Sequence, residues 1–313
     1  MTKFSVIIPL YNGAKYITAA LNSVASQTFR DFEIVICDDG STDNSADIVK
    51  EYSGSHPELK IKYAYQKNKG LGGARNTAMR NAEGEIFALL DQDDIWYPHK
   101  LERVSEVFEK ENADIVCNQE DVISNGNKVS VLTCDVDAKN MFRRLLFKGN
   151  CLSTSATGFK REIFEKVGPF SEDICNLHFV EDYDYWMRIA MKGYKFSFVR
   201  QSLGQYILHK SNYSSNNQEM MCNHTIFVIK KNFAGYKEKS MRDRILLNIR
   251  MSSVYLFYSR TFFSNKKTGL FLKYLILSFA KNPIMPFVYF VKKIASAALN
   301  KTWFKKPGER FCL

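Results

Sequence analysis

"GLGGARNTAMRNAEGEIFALLDQDD", residues 70–94, contains in order a glycine-rich turn, a helical stretch, an apolar strand and a cluster of carboxylates. The apolar run of residues 86–90 ends directly in Asp91, Asp93 and Asp94. A helical stretch followed by a short apolar run between turn residues predicts one helix–strand unit of a buried sheet. Three carboxylates at the end of a strand indicate either the cap of a following helix or a site that holds a cation.

The same alternation of strand and helix continues on both sides of this unit. Apolar runs at residues 4–10, 32–40 and 61–66 are each followed by helical signals, and repeated units of this kind build a parallel sheet with helices on both faces. Further signals predict a strand at 113–120, a hairpin turn at 125–128, helices at 137–148, 160–166 and 181–193, and a strand at 194–199. We therefore predict an α/β fold with a Rossmann-like, mainly parallel sheet flanked by helices, followed by a C-terminal helical extension.

The composition limits the class of protein. The chain has 313 residues, enough for one large domain or two ordinary ones. Its apolar content of 45% and charged content of 25% argue against a disordered chain. The seven cysteines are scattered and form no C-x-x-C pair, so the sequence indicates neither a disulfide framework nor a zinc site and favours a reducing compartment. The apolar stretch at the N-terminus is too short for a secretory signal.

Charged loops follow three of the predicted strands. They are "CDDG" at residues 37–40, "NKGLGGARN" at 68–76 and "DQDD" at 91–94. Ligands of open α/β sheets bind beyond the carboxyl ends of the strands, where these loops converge, so we predict a ligand site at this edge. "GLGG" does not match the G-x-G-x-x-G fingerprint, and a dinucleotide-dependent dehydrogenase is therefore not supported.

Four segments, in their order and spacing, resemble the successive motifs of the family 2 inverting glycosyltransferases, which have the GT-A fold. The segments are "SVIIPLYNG", "ICDDGSTDNS", the stretch at 70–94 and "EDYDYWMRIAMKGYKF". The resemblance covers roughly residues 3–210. It implies a nucleotide-sugar donor, usually linked to UDP, and a divalent cation, usually Mn²⁺ or Mg²⁺.

The resemblance also implies roles for residues on the donor side. It places Asp91 at the ribose, makes Asp93 a metal ligand and assigns Asp39 of "CDDG" to the uracil base. Pro9 and Tyr11 resemble the part of the nucleotide pocket that lines the base and the ribose. An Asx-type turn is the alternative for the aspartates that follow the second strand.

Two further residues are candidates on the donor side. Arg75 follows two glycines that permit close backbone approach, and its guanidinium has the shape to reach base or phosphate oxygens. An exposed helical arginine is the alternative. His209 lies where several members of the resembled family carry a late histidine, which makes it a candidate second metal ligand beside Asp93. A lone histidine is more often an ordinary surface or packed residue.

A glycosyl transfer with inversion needs a base that takes the proton of the acceptor hydroxyl as the hydroxyl oxygen attacks the anomeric carbon. The resemblance assigns this base to Asp182, the aspartate of the "ED" pair. Its neighbour Glu181 is a candidate acceptor contact, although both carboxylates also suit the start of a helix, where they complement the helix dipole. Trp96 and Trp186 are further candidate acceptor contacts, and packing beneath their loops is the alternative for both.

The net charge of +11 is concentrated in the C-terminal part of the chain, where 18 Lys and Arg stand against 3 Asp and Glu from Cys222 onward. We predict a catalytic domain at residues 1–215, with a nucleotide-sugar half at about 1–97 and an acceptor half at about 98–215. A basic amphipathic helical tail follows at 216–313. Its apolar runs are shorter than the roughly 20 residues of a spanning helix, which favours helices lying on an anionic membrane. Packing of the tail on the catalytic domain is the alternative, and no nucleic-acid-binding motif is present.

Together these features predict an inverting glycosyltransferase that moves a hexose from a UDP-sugar to a sugar hydroxyl and forms a β-linkage. The acceptor would be a glycan on a polyprenyl diphosphate lipid, in the biosynthesis of polysaccharide, O-antigen or capsule. The enzyme would be cytoplasmic and peripheral on the inner face of the plasma membrane. A nucleotidyltransferase acting on sugar phosphates would instead need a basic phosphate-binding loop near the N-terminus. A non-catalytic glycan-binding protein would not need the aspartate doublet of "CDDG".

Overall fold

The computed structural model describes residues 2–134, 138–173, 175–209, 217–237 and 239–289. Its strands are β1 (Phe4–Leu10), β2 (Phe32–Asp38), β3 (Ile61–Tyr65), β4 (Ile86–Leu89), β5 (Ile95–Trp96), β6 (Ile115–Ser124), β7 (Asn127–Leu132), β8 (Thr157–Lys160) and β9 (Phe196–Leu208). Its helices are α1 (Ile17–Ala25), α2 (Ser45–Ser55), α3 (Gly70–Asn81), α4 (Lys100–Glu111), α5 (Met141–Lys148), α6 (Arg161–Val167), α7 (Glu181–Met191), α8 (Gln218–Gly235), α9 (Met241–Ser264) and α10 (Thr268–Lys281).

The strands of the described chain form one sheet in the order β3-β2-β1-β4-β8-β6-β9-β5, with β7 paired to the C-terminal half of β6. Strands β1 to β4 pair in parallel, and so do β6 and β9. Strand β8 runs antiparallel to both β4 and β6, and β5 runs antiparallel to β9. The predicted α/β fold, with a sheet flanked by helices, is confirmed, and its regular parallel part is the N-terminal half.

Strands β1 and β2 form the centre of the parallel half, and every one of their residues is buried. Strands covered on both faces are continuous apolar runs, which is the pattern in the sequence. They share a core with α1, whose Ile17, Ala20, Leu21 and Val24 are all buried at the predicted helical spacing. Burial of a large aliphatic side chain contributes roughly 1.5–3 kcal/mol. This core fixes the strand ends from which the charged loops leave.

Two strands of the sheet have no signal in the sequence. Strand β8 contains a glycine and a lysine among its four residues, yet it lies between β4 and β6 and joins the two halves of the sheet. Strand β5 is only two residues long. Short strands of this kind form because neighbouring strands offer backbone partners, and a local pattern does not predict them.

Two element boundaries also differ from the predictions. Strand β9 continues to Leu208, beyond the strand predicted at 194–199, because it pairs along the whole length of β6. The helix predicted at 137–148 begins at Met141 in the structure, and residues 135–137 lie outside the described part of the chain.

The described residues divide into two compact units. The first comprises residues up to 141 together with 151–209, and it contains the whole sheet. The second comprises residues 142–150 together with the helices α8, α9 and α10. Helix α5 therefore groups with the C-terminal helices, although the sequence placed it in the acceptor half. The border expected at residue 215 lies in the undescribed segment 210–216 and stays a prediction.

The second unit is held together by polar contacts as well as by apolar packing. Arg143 of α5 pairs with Asp243 of α9, with 2.6 Å between Nη1 and Oδ1. Asp243 also forms a capping box with Ser240 at the start of α9. The Ser252 and Ser278 hydroxyls, 2.9 Å apart, join α9 to α10.

The C-terminal helices bear on the question of a membrane. Within the ranges that the structure describes, no helix combines the length and the apolar character that are needed to cross a bilayer. The first apolar run of the tail forms α10, and the second lies for the most part beyond residue 289, outside the described residues.

The fold predicts a sharp difference between two glycine-to-alanine substitutions. A Cβ at Gly84, two residues before β4, would lie 2.5 Å from the Ser5 nitrogen, whereas a Cβ at Gly54 in α2 would meet nothing within 4 Å. Gly84→Ala should therefore lower the free energy of unfolding by about 1–3 kcal/mol, because the backbone of β1 must shift. Gly54→Ala is the matched control and should be neutral or stabilising by up to about 1 kcal/mol. Urea unfolding measures both, and equal stability of the two variants would contradict the close approach.

Candidate functional site

The loops that follow β1 and β4 are joined at the carboxyl edge of the sheet. The Tyr11 N–H donates to Oε1 of Gln92 (2.8 Å), and the Gln92 side-chain amide donates to the Tyr11 carbonyl (3.1 Å). Pro9 is buried in β1 beside Cys37 of β2, and Tyr11 is half-buried just beyond the strand. The glutamine inside "DQDD", which the sequence analysis did not single out, thus fixes the spacing of two of the predicted loops.

The carboxylate of Asp39, at the end of β2, is directed to the start of α3. Its Oδ1 accepts the Lys69 N–H and its Oδ2 accepts the Gly70 N–H, both at 2.8 Å. Burial raises the pKa of Asp39, and its hydrogen bonds oppose that shift. The neighbouring Asp38 makes the Asx-type turn considered from the sequence, because its Oδ1 accepts the Ser41 N–H (2.7 Å). The two aspartates of the doublet therefore have different roles: Asp38 stabilises the turn within the second loop, and Asp39 joins the second loop to the third.

Arg75 connects the third loop, the fourth loop and α7. Its Nη2 lies 2.8 Å from Oδ1 of Asp91, and its Nη1 lies 2.6 Å from Oε1 of Glu181. Only 2% of the Arg75 side chain is exposed, so the alternative of an exposed helical arginine is wrong. Burial alone would lower the pKa of Arg75, but the charges of Asp91 and Glu181 raise it. The structure thus brings three predicted site residues together, because the buried guanidinium of Arg75 binds both Asp91 and Glu181.

Asp93 and His209 meet at the same edge of the sheet. Nε2 of His209 lies 2.8 Å from Oδ2 of Asp93, and the imidazole stacks on Tyr16 with 4.5 Å between ring centroids. The described residues contain no group of three or more His, Cys, Asp and Glu that could hold a metal ion. A carboxylate beside an imidazole nevertheless fits a divalent cation that takes its other ligands from phosphate and water, as Mg²⁺ usually does.

An excess of negative charge surrounds this pair. Burial and the charge of Asp91 raise the pKa of Asp93, while His209 opposes the shift. Asp94 is buried, and burial followed by the charge of Glu120 raises its pKa well above the ordinary value. A cation would relieve this repulsion, which is the electrostatic reason why the edge suits one.

Ser155, which no pattern in the sequence marks, supports the carboxylate cluster. Its hydroxyl donates to Oδ2 of Asp94 (2.6 Å) and accepts the Asp91 N–H (3.0 Å). The other oxygen of Asp94 accepts the Ile207 N–H (3.0 Å). A serine in a loop has no distinctive spacing, so only the structure could identify this one.

Asp182 is half-buried in the first turn of α7. Its Oδ2 lies 3.4 Å from the Thr154 hydroxyl, and its Oδ1 accepts the Tyr183 N–H (2.6 Å). Burial and then the charge of Glu181 raise the pKa of Asp182 to about 7, while Arg75 opposes the shift. A carboxyl group with this pKa exchanges a proton near neutral pH, which is what general base catalysis requires.

The expectation that Trp96, Trp186 and Glu181 contact an acceptor is corrected by what these side chains contact instead: the two rings pack in the core, and the Glu181 carboxylate is held by Arg75. Trp96 is 2% exposed and its indole donates to the Ser155 carbonyl (2.8 Å). Trp186 is fully buried and packs edge-on against Phe159. Glu181 is 4% exposed and is occupied by Arg75. Both rings fill the core, which is the packing alternative considered from the sequence.

Comparison with known proteins finds similar chains. The family model "Glycosyl transferase family 2" matches residues 5–168. An uncharacterized glycosyltransferase of Nostoc sp. is 43% identical over 174 residues, which are 53% of this chain and 53% of that protein. The chain thus spans about half the length of that relative.

Two further proteins are informative. Escherichia coli WfgD, named as a UDP-Glc:alpha-D-GlcNAc-diphosphoundecaprenol beta-1,3-glucosyltransferase, is 33% identical over 217 residues, which are 68% of this chain and 79% of WfgD. The crystal structure of S. aureus TarS in complex with UDP-GlcNAc has a TM-score of 0.66, covers 89% of this chain and 81% of that chain, and is 22% identical. At this identity the likeness to TarS establishes a shared fold.

Proposed function

Because the chain belongs to glycosyl transferase family 2, we propose that it transfers a hexose from a UDP-sugar to a sugar hydroxyl of a glycan, with inversion at the anomeric carbon. Membership makes the chain a glycosyltransferase with the GT-A fold, so the nucleotidyltransferase and the non-catalytic glycan-binding protein are set aside. The observation that carries the proposed reaction is the half-buried Asp182, whose pKa lies near neutrality and whose helix Arg75 ties to Asp91.

We assign the uracil base to Asp39. Its Oδ1 accepts the Gln66 side-chain amide and the Lys69 N–H, whereas its Oδ2 accepts the Gly70 N–H. Each carboxylate oxygen has two acceptor positions, so Oδ2 has a second one for the ring N–H of uracil. Asp39 would then read the base with an oxygen that the start of α3 already holds in place.

The remaining donor contacts follow from the joined loops. Pro9 and Tyr11 would line the base and the ribose, and Asp91, 29% exposed at its side chain, would face the ribose hydroxyls. The names of two similar proteins support a UDP-linked donor, because WfgD is named for UDP-Glc and TarS was crystallised with UDP-GlcNAc.

In the proposed reaction Asp182 takes the proton of the acceptor hydroxyl while the hydroxyl oxygen bonds to the anomeric carbon. The bond from this carbon to the diphosphate oxygen breaks on the opposite face, and its electron pair leaves with UDP. One carboxylate suffices because no covalent intermediate forms, and an α-linked donor gives a β-linked product. Thr154, whose hydroxyl lies 3.4 Å from Oδ2 of Asp182, would orient this carboxylate.

Asp93 and His209 are the residues that would hold Mn²⁺ or Mg²⁺. When bound, such a cation supplies positive charge beside the departing diphosphate. The stacking of His209 on Tyr16 fixes the plane of the imidazole and keeps Nε2 directed at Asp93, so the two proposed ligands stay side by side.

We further propose a lipid-linked acceptor in polysaccharide biosynthesis, with the enzyme peripheral on the inner face of the plasma membrane. The acceptor in the name of WfgD is a diphosphoundecaprenol lipid. In the second unit, α10 exposes Leu272 (50%), Ile276 (66%) and Phe279 (40%), which share one face of the helix because they are four and three residues apart. Lys273 lies within this stretch of sequence, where it pairs with Glu219 of α8, and Lys281 follows it at the end of α10. Apolar and basic side chains on one helix fit the interface of an anionic bilayer.

Asp182→Asn keeps the size of the side chain but cannot take up a proton. We expect kcat to fall about a hundredfold or more with UDP affinity little changed, measured as product mass with a panel of UDP-sugars, Mn²⁺ and a short lipid-diphosphate GlcNAc acceptor. For the wild type, kcat/KM should decline as pH falls through about 7, because Asp182 becomes protonated. Asp47→Asn is the matched control, since Asp47 is also an acidic residue in the first turn of a helix but is exposed. Near-normal turnover of Asp182→Asn would place the base elsewhere.

The metal is tested through Asp93. Asp93→Ala should abolish transfer and weaken the binding of UDP in the presence of Mn²⁺ by about tenfold or more, because one of two proposed ligands is lost. Calorimetric titration of UDP with and without Mn²⁺ measures this effect apart from turnover, and Asp43→Ala, which changes an exposed aspartate of the second loop, is the control. Full transfer by the wild type in excess EDTA would refute the metal dependence.

The membrane contact is tested by co-sedimentation with phosphatidylglycerol vesicles. Binding of the whole chain should weaken as salt rises. Ile276→Ser combined with Phe279→Ser should weaken it further, while Ile245→Ser, an equally exposed isoleucine of α9, should not. The basic tail also suggests a variant in which the charges of Lys292 and Lys293 are reversed, but these two residues lie outside the described part of the chain. Unchanged vesicle binding of the double variant at low salt would contradict docking through α10.

A further inference from the structure

The contacts of Arg75 indicate a role other than the nucleotide contact that the sequence predicts. We infer that Arg75 is a positioning residue for the base: it holds the start of α7 against the loop that follows β4 and balances the charge of Glu181 next to Asp182. The inference rests on the proposed role of Asp182.

The contacts of Arg75 point away from a simple nucleotide contact. Both Nη atoms are taken by carboxylates, Asp91 at 2.8 Å and Glu181 at 2.6 Å, and the guanidinium carbon lies 5.7 Å from the centre of the Phe170 ring. The side chain is 2% exposed. A guanidinium forms two such bonds in fixed directions, so it defines the distance between the two carboxylates as well as their charge.

The backbone around Arg75 is built for this approach. A Cβ at Gly72 would lie 2.3 Å from the Ser171 carbonyl and 3.5 Å from Cγ of Glu181. The Asn76 side chain bonds Phe170 on both sides, donating to its carbonyl (2.9 Å) and accepting its N–H (2.8 Å). The glycines of "GLGG" thus allow the acceptor half of the same unit to approach α3 closely, and Arg75 and Asn76 hold it there.

The charges around Asp182 explain why the base needs this partner. Glu181 from its own helix and Asp91 from the loop after β4 disfavour a second negative charge at Asp182, whereas Arg75 from α3 favours it. The Thr154 hydroxyl also faces Asp182, 3.4 Å from its Oδ2. Oε2 of Glu181 is buried without a hydrogen bond in the described structure, while Oε1 is paired with Arg75. Without the guanidinium, the pKa of Asp182 should rise further, and less of this group would be ionised and able to accept a proton near neutral pH.

The test is the pH dependence of kcat/KM in variants that change one charge at a time. Arg75→Met should move the acid limb to higher pH by about one unit or more, because the favourable charge is lost. Glu181→Gln should move it to lower pH, because the unfavourable charge is lost and Arg75 remains. The double variant should return towards the wild type. Arg80→Met, on the same helix but 52% exposed at its side chain, is the matched control and should leave the profile unmoved.

The outcomes separate the possible roles. Arg75→Met that loses UDP affinity in Mn²⁺ with an unmoved acid limb would make Arg75 a nucleotide contact and overturn the inference. Shifts in the same direction for both single variants, or none, would reduce the ion pairs to a structural role. If Arg75→Met does not fold, Glu181→Gln and Arg75→Lys provide the test. A lysine keeps the positive charge but cannot bridge two carboxylates. Arg75→Lys should therefore lower kcat and move the acid limb of the pH profile less than Arg75→Met would. An active Asp182→Asn is a separate result, which removes the base and this inference with it.

Discussion

The buried guanidinium of Arg75 holds together two of the carboxylates that this protein gathers at one edge of its sheet. Arg75 lies between Asp91 and Glu181, with almost none of its surface exposed. Carboxylates buried near one another repel, and a buried ion pair that loses one partner leaves an uncompensated charge that costs about 3–5 kcal/mol. The loop with the proposed donor contact Asp91 and the helix with the proposed base Asp182 are therefore not independent. Each is placed by the same guanidinium.

The irregular part of the sheet, strands β8 and β9, positions polar side chains of the candidate site. Strand β8, with only four residues, fills the space between β4 and β6, and the segment directly before it carries Thr154 and Ser155 to the carboxylates. Strand β9 runs the full length of β6, and His209 comes immediately after its last residue. A shorter β9 would leave His209 far from Asp93. Two strands that the sequence pattern predicts poorly, β8 and the end of β9, thus place Thr154, Ser155 and His209 at the site.

Aromatic side chains pack around α7, the helix that carries the proposed base. Tyr185 and Trp186 of α7 pack with Phe159 and Phe170, with ring centroids 4.0–6.1 Å apart. These ring contacts fasten α7 to the core and thereby help to position the carboxylate in its first turn. This positioning suits a base that must meet one hydroxyl in one direction.

The sequence by itself determined the features that depend on local pattern. The strands β1 to β4, the helix α1 and the loops with Asp39, Asp91, Asp93 and Asp182 follow from periodicity, turn residues and a motif order typical of a family, because these signals lie within a few residues of one another. Only the tertiary structure decided the rest. It placed Arg75 on Glu181, more than a hundred residues away, buried Trp96 and Trp186, and brought Ser155 to Asp94. Contacts between distant segments depend on how side chains pack and on the need to pair charges that two loops bring together. The spacing of residues along the chain predicts neither.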